Sequence, residues 1–337
     1  MKKHVNIPVF VPHLGCPNDC VFCDQRQISG HRSFDIDDAR KEIEEILSVV
    51  PSDAEKEIAF FGGSFTGIDR ELFLSLCALG KEYKDKGGVS SLRCSTRPDY
   101  VNGEILDTLI SYGFATVELG VQSTDDSVLS VCRRGHTAKI TENACRLIKE
   151  KGLRLGGQMM IGLPGSSGES EKRTARFICE MGADEARVYP TVVFPKTELF
   201  HMCGRGEYEP LSVEEAAERT ADVLEIFEEA GVKVIRVGLC ESEGLRRAFA
   251  GPAVPDMGER AMSVLFLRRA FEALSSLDAE GKDCEIWVGS GKTSKMCGHK
   301  RENIRKIQEK FKPKTVKVIE KTDIIGYNIK VKVFIKK

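Results

Sequence analysis

The chain has 337 residues, 41% hydrophobic and 30% charged, with a formal net charge of −1. That balance suits a globular chain with one large core and at most a small appendage, and no apolar run approaches the ~18–20 residues of a membrane-spanning helix. The net charge conceals an asymmetry: residues 292–337 carry 15 lysines and arginines against four acids, so a basic tail of +11 follows an acidic body of −12.

The start, Met1-Lys2-Lys3, is basic, but Asn6, Pro8, Pro12 and His13 interrupt the apolar stretch behind it. A secretory leader is not expected, and the cytoplasm is the expected compartment. From there to about residue 240 short β-rich runs alternate with amphipathic ones. The strands are predicted at 5–11, 57–61, 92–95, 115–121, 153–161, 186–192 and 232–237. The helices are predicted near 36–49, 70–82, 102–111, 137–151, 170–181 and 212–230, with Asp35 and Ser212 as N-caps and Gly113, Gly152, Gly182 and Gly231 as C-caps. Repeated strand–helix units predict an α/β fold with parallel strands and right-handed crossovers. Six or seven of them form a partial or full parallel (β/α) barrel, with a flat doubly wound sheet as the alternative.

Residues 251–258, Gly-Pro-Ala-Val-Pro-Asp-Met-Gly, read as a boundary between a barrel domain over 1–250 and a basic α+β domain over 259–337. The second domain is predicted as a helix (259–276), a strand (284–288), a helix near 299–311 and two closing strands. In the last strand Ile329, Val331, Val333 and Ile335 alternate with Lys330, Lys332, Phe334 and Lys336, which predicts one buried and one wet face.

In parallel α/β folds the chemistry lies at the C-terminal strand ends. Those ends are Cys16 onward, Gly62-Gly63-Ser64-Phe65-Thr66, Ser95-Thr96-Arg97-Pro98, Gln122-Ser123, Gly162-Leu163-Pro164-Gly165 and Tyr189-Pro190. The first holds Cys16-x3-Cys20-x2-Cys23, three of twelve cysteines. The other nine are scattered, and small buried thiols are expected there. Three thiolates on one loop suit a [4Fe–4S] cube with one iron left without a protein ligand. Zinc is the rival, but a structural zinc site wants four ligands, and His13 and His31 are poorly spaced to supply the fourth.

This cysteine spacing, with Phe22 just before the last cysteine, resembles the signature of the radical S-adenosylmethionine superfamily. The resemblance covers roughly residues 5–240. Phe60-Phe61-Gly62-Gly63-Ser64-Phe65-Thr66, Glu118-Leu119-Gly120-Val121-Gln122-Ser123, Arg133-Arg134-Gly135-His136-Thr137, Gly162-Leu163-Pro164-Gly165 and Val188-Tyr189-Pro190 narrow it. In that order they are similar to the radical domain of the Elongator catalytic subunit and, more distantly, to oxygen-independent coproporphyrinogen III oxidase. The Elongator family spaces its first two cysteines further apart and adds a C-terminal acetyltransferase domain, for which the basic tail is expected to be too short.

The resemblance implies a cluster on Cys16, Cys20 and Cys23, S-adenosylmethionine on its open iron, and reductive cleavage to a 5′-deoxyadenosyl radical. It also implies cofactor contacts. Gly62 and Gly63 let the backbone approach the ligand's amine, Ser64 is among the cofactor contacts, and the resemblance puts Ser95 at the amine or ribose, Gln122 at the ribose or carboxylate, and Arg134 at the carboxylate. Gln158 stands at a ribose position, and Phe22 and Tyr189 flank the adenine.

Gly289-Ser290-Gly291-Lys292-Thr293 is not a phosphate loop, because Ile286 stands where the leading glycine is required. His136 is expected to be structural, and Cys297 with His299 is too sparse for a metal. For substrate, RNA and foremost tRNA is expected: Lys330, Lys332, Phe334 and Lys336 on a sheet face, with Lys300, Arg301, Arg305 and Lys306 on a neighbouring helix, offer phosphate contacts and stacking. The alternatives are a small metabolite or tetrapyrrole, or a non-catalytic iron–sulfur or haem-binding role. The radical chemistry calls for an electron donor such as flavodoxin or ferredoxin; no membrane partner is expected.

Overall fold

The computed structural model describes residues 4–11, 16, 20–23 and 34–335. The readings made for Met1-Lys2-Lys3, Pro12, His13, His31, Lys336 and Lys337 lie outside the described residues. Seven parallel strands form the main sheet: β1 (His4–Val11), β2 (Glu55–Gly62), β3 (Ser91–Thr96), β4 (Phe114–Gln122), β5 (Arg154–Ile161), β6 (Glu185–Pro190) and β7 (Lys233–Val237). Each pairs with the next in sequence, so the spatial order is the chain order. A doubly wound sheet reverses direction partway along. Here every crossover steps the same way, the helices gather outside, and the sheet curls into a half barrel.

The outer layer is α1 (Ile36–Val49), α2 (Arg70–Asp85), α3 (Gly103–Ser111), α4 (Asp126–Val131), α5 (Ala138–Glu150), α6 (Gly168–Glu180), α7 (Glu198–Gly204), α8 (Val213–Glu229) and α9 (Glu243–Arg246). Both predicted N-caps close: the Asp35 carboxylate accepts from the Asp37 amide at 2.7 Å, and Ser212 forms a reciprocal box with Glu215. The short α4, α7 and α9 were not predicted.

Strand alternation sorts the residues onto two faces. In β4, Val117, Leu119 and Val121 face the helices and join a core with Ile7, Phe60, Leu92 and Val188. Thr116, Glu118 and Gln122 face inward and are also buried, so the concave side is a polar interior.

After β7 the chain makes α10 (Met257–Ser275), β8 (Asp283–Val288), α11 (Thr293–Cys297), α12 (Glu302–Phe311), β9 (Thr315–Glu320) and β10 (Ile329–Phe334). The second sheet runs β10-β8-β9, with β8 parallel to β9 and antiparallel to β10. α10 works on two fronts. Its Ala261 and Leu265 pack on Ala221 and Leu224 of α8, while Phe266, Ala270 and Leu274 pack under the second sheet.

Four expectations change here. Ile335 lies beyond β10 and is 73% exposed rather than buried. Lys300 and Arg301 are not helical: both take left-handed backbone angles in the kinked turn before α12. Ile307 and Phe311 press α12 onto the covered face of the sheet, so Arg305 and Lys306 lie on the opposite side from Lys330 and Lys332. Finally, of the nine scattered cysteines Cys77, Cys94, Cys132, Cys145 and Cys284 are buried, but Cys240 is exposed.

Candidate cluster and cofactor site

The strand ends bring most of the predicted site residues to one mouth. Cys16, Cys20 and Cys23 follow β1, with a tight turn closed by the Cys23 amide on the Cys20 carbonyl at 2.9 Å. The Arg134 guanidinium spans two of the predicted parts. Its Nη1 reaches Cys20 Sγ at 3.4 Å and its Nη2 donates to the Gly120 carbonyl at 2.8 Å. A second arginine, Arg97, sits behind the same thiols, fully buried. It forks onto Asp99 at 3.0 and 2.9 Å and donates to the Arg134 carbonyl. Burial pushes the Cys16 thiol up, and the neighbouring charges of Arg97 and Arg134 pull against that rise.

Gly62 lies beside this turn with φ +126°, where a Cβ would fall 1.9 Å from the Val11 carbonyl oxygen. No other residue fits so close an approach between β1 and β2. Ser64 is buried and bonded to Thr96 Oγ1 at 2.8 Å, while the adjacent Gly63 is half-buried. Gln122 ends β4 with φ +64°, an uncommon conformation for a residue with a side chain, and follows a register break against β5. Its Oε1 accepts from Gln158 Nε2 at 3.4 Å. Phe22 stands apart from this group, packed with Val21, Val128 and Leu163.

Beneath the mouth lies a charged floor. Arg93, 2% exposed, bonds to Glu57 at 3.4 Å, Glu118 at 3.1 Å and Glu185. Arg187 donates to Glu118 at 2.7 Å and to Tyr189 Oη at 3.4 Å, and its guanidinium lies 5.1 Å from the centre of the Phe61 ring. Burial opposes the charge on Arg93, yet Glu118, Glu185 and Glu57 together hold its pKa above the ordinary value. The Ser95 hydroxyl is spent on this floor, donating to Glu118 at 3.1 Å.

Three parallel-strand ends, a thiol turn and two buried guanidiniums thus share one concave mouth. The Radical SAM superfamily model matches residues 10–178, half of the chain, and the Radical SAM C-terminal domain model matches residues 183–265. The chain belongs to the radical S-adenosylmethionine superfamily.

This radical S-adenosylmethionine enzyme is 33% identical over 196 residues to the tRNA uridine(34) acetyltransferase of Methanocaldococcus jannaschii, covering 52% of this chain and 36% of that one. It is 32% identical over 132 residues to human Elongator complex protein 3, covering 38% and 24%. Among solved structures, an N-terminally truncated Elp3 from Methanocaldococcus infernus superposes with a TM-score of 0.64 at 26% identity, covering 79% of this chain and 63% of that one. The chain therefore spans less than half the length of the acetyltransferases it matches from M. jannaschii and M. infernus.

The superfamily implies a [4Fe–4S] cluster and S-adenosylmethionine. Among the described residues no three His, Cys, Asp or Glu side chains stand close enough together to hold a metal ion. The donor chemistry nevertheless fits the cluster: the thiols of Cys16, Cys20 and Cys23 follow one strand, with Arg134 and Arg97 placed to offset thiolate charge.

The rejected motifs also resolve. His136 is buried, its Nδ1 lies 3.5 Å from Thr141 Oγ1, and burial followed by Arg134 pushes its pKa down to about 4. It is a neutral structural residue. The Gly289–Thr293 turn has the Glu320 carboxylate on Thr293 Oγ1 at 2.9 Å, an anion where a phosphate would need to sit. Sequence reasoning missed Arg97 as a partner of the thiols, and the Arg93–Glu118–Arg187 floor entirely. The charges that interrupt the otherwise uncharged β3 and β4, and the Glu185–Arg187 pair of β6, were the available signal.

Proposed function

We propose that this radical enzyme modifies tRNA, with Cys16, Cys20 and Cys23 holding its cluster and the strand-end residues binding S-adenosylmethionine. The observation that carries the site is the Arg134 guanidinium, bonded at once to Cys20 Sγ and to the end of β4. When bound, the two cofactors supply reductive cleavage of the sulfonium to a 5′-deoxyadenosyl radical.

The chain's own groups then have distinct work. Arg134 and Arg97 stabilise the thiolates, and Arg134 also offers its fork to the ligand carboxylate. Gly62 and Gly63 let the backbone approach the ligand amine, with Ser64 fixing that loop through Thr96. Gln122 and Gln158, already paired, meet the ribose as a unit. Tyr189 bounds the adenine, and Ser95 reaches the ligand by way of Glu118. The closed Arg93–Glu118–Arg187 floor excludes water from below, where a free radical would be quenched.

Support for tRNA comes from the relatives' names and from the +11 charge of residues 292–337. The working compartment is the cytoplasm, with a flavodoxin or ferredoxin as electron donor; no helix among the described residues is long and apolar enough to cross a membrane. After anaerobic reconstitution the wild type should bind about four irons and, given S-adenosylmethionine and dithionite, release 5′-deoxyadenosine and methionine, and Cys20→Ala should do neither. Full iron and full cleavage in Cys20→Ala overturn the site. Nucleoside mass spectrometry of a deletion strain tests the substrate; an unchanged tRNA nucleoside profile removes it.

A further inference from the structure

The second sheet has one face under α10 and α12 and one face open. Ile329, Val331 and Val333 of β10 turn inward, so Lys330 and Lys332 turn outward, opposite Trp287 and Glu285 of β8. On the other side of β8, Lys317 of β9 pairs with Glu285 and Ile319 with Trp287. The open face therefore centres on Trp287, the single tryptophan of the chain. The Lys332 ammonium lies 4.0 Å from the centre of its ring and that of Lys321 lies 4.6 Å away. Lys317 and Lys330 complete the surround. Two carboxylates share the face: Glu285 accepts from Trp287 Nε1 at 3.2 Å, and Asp323 pairs with Lys330 at 3.4 Å.

Lysines alone on an edge strand would serve to discourage aggregation. A half-exposed indole among them does the opposite, and calls for a ligand with both a flat apolar surface and negative charge. Duplex RNA offers phosphates but keeps its base faces stacked away. Unpaired RNA offers both.

We infer that this face binds an unpaired stretch of RNA, one base stacking on Trp287 and the flanking phosphates meeting Lys317, Lys321, Lys330 and Lys332. This rests on the RNA reading above and names the element that would engage the substrate. A stacked base is worth more than a cation over an exposed ring, so the base displaces a lysine ammonium, which moves onto the adjoining phosphate.

As the only tryptophan, Trp287 reports its own occupancy. The reconstituted full chain is titrated with a short oligouridylate, an RNA duplex of equal charge and heparin, following tryptophan fluorescence, with labelled-RNA anisotropy for the variants. The oligouridylate should quench strongly and the other two weakly. Trp287→Ala should weaken oligouridylate binding ~10-fold or more, Trp287→Phe should retain most of it, and Lys317→Glu should weaken it while lowering the salt dependence. Thermal melts confirm that each variant is folded, and the Phe and Lys317 variants test the proposal should Trp287→Ala unfold. Equal quenching by heparin or duplex, or folded variants that bind as wild type does, overturns it. If tRNA then still binds, only the platform falls; if neither tRNA nor oligouridylate binds, the RNA reading falls with it.

Discussion

Replacing Arg93 with methionine should uncover how much of the fold hangs on one guanidinium. Arg93 faces Glu57, Glu118 and Glu185, all under 5% exposed. Methionine fills similar volume but carries no charge. Glu118 keeps Arg187 at 2.7 Å, whereas Glu57 and Glu185 lose their buried partner. Breaking a buried pair from one side costs about 3–5 kcal/mol. Unfolding entropy near 2.1 cal/mol/K per residue, over this chain length, converts that to a fall in Tm of roughly 4–7 °C. Circular dichroism melts of wild type and Arg93→Met at pH 8 should show this deficit, and Arg93→Met/Glu185→Gln should recover part of it. A deficit below about 1 kcal/mol, or a double variant no more stable than Arg93→Met, refutes this account.

Gly62→Ala should lower Tm by several degrees and cut cluster incorporation, read as iron content, because the new methyl overlaps the Val11 carbonyl. Arg134→Lys keeps the charge but cannot hold both Cys20 Sγ and the Gly120 carbonyl, so S-adenosylmethionine affinity by calorimetry should fall about 10-fold or more; wild-type affinity would rule out the fork. His136 is neutral when folded and protonates more readily when unfolded, so it costs stability as pH falls from about 6.5 towards its folded value of about 4. His136→Gln should flatten the denaturant-derived stability curve in that window and leave it unchanged above.

Much of the scaffold was legible because its signals are local. Asp35, Ser212 and the strand-by-strand alternation depend only on near neighbours, and the thiol turn is eight residues long. The floor was not legible for the opposite reason. Glu57, Arg93, Glu118 and Glu185 are single charges in four separate segments of the sequence, and only the curl of the sheet carries them inside together. The short α4, α7, α9 and α11 span too few turns to show a period. The lysine and arginine of the turn before α12 read as helical because nothing in their identity announces a left-handed pair; Gly298, at φ +75° two residues before Lys300, was the available hint.

The double duty of α10 bears on how this enzyme can be handled at the bench. One side of the helix is a wall of the half barrel, through Ala261 and Leu265 against α8, and the other is the floor of the second sheet, through Phe266, Ala270 and Leu274. Any cut that assigns α10 to one half strips apolar cover from the other. Expression as two fragments should yield sticky, poorly soluble pieces, whereas insertions in the exposed turn at Asp278–Gly281, with Ala279 spared, should be carried without loss. For tagging, immobilisation or labelling, that turn is the place to enter the chain.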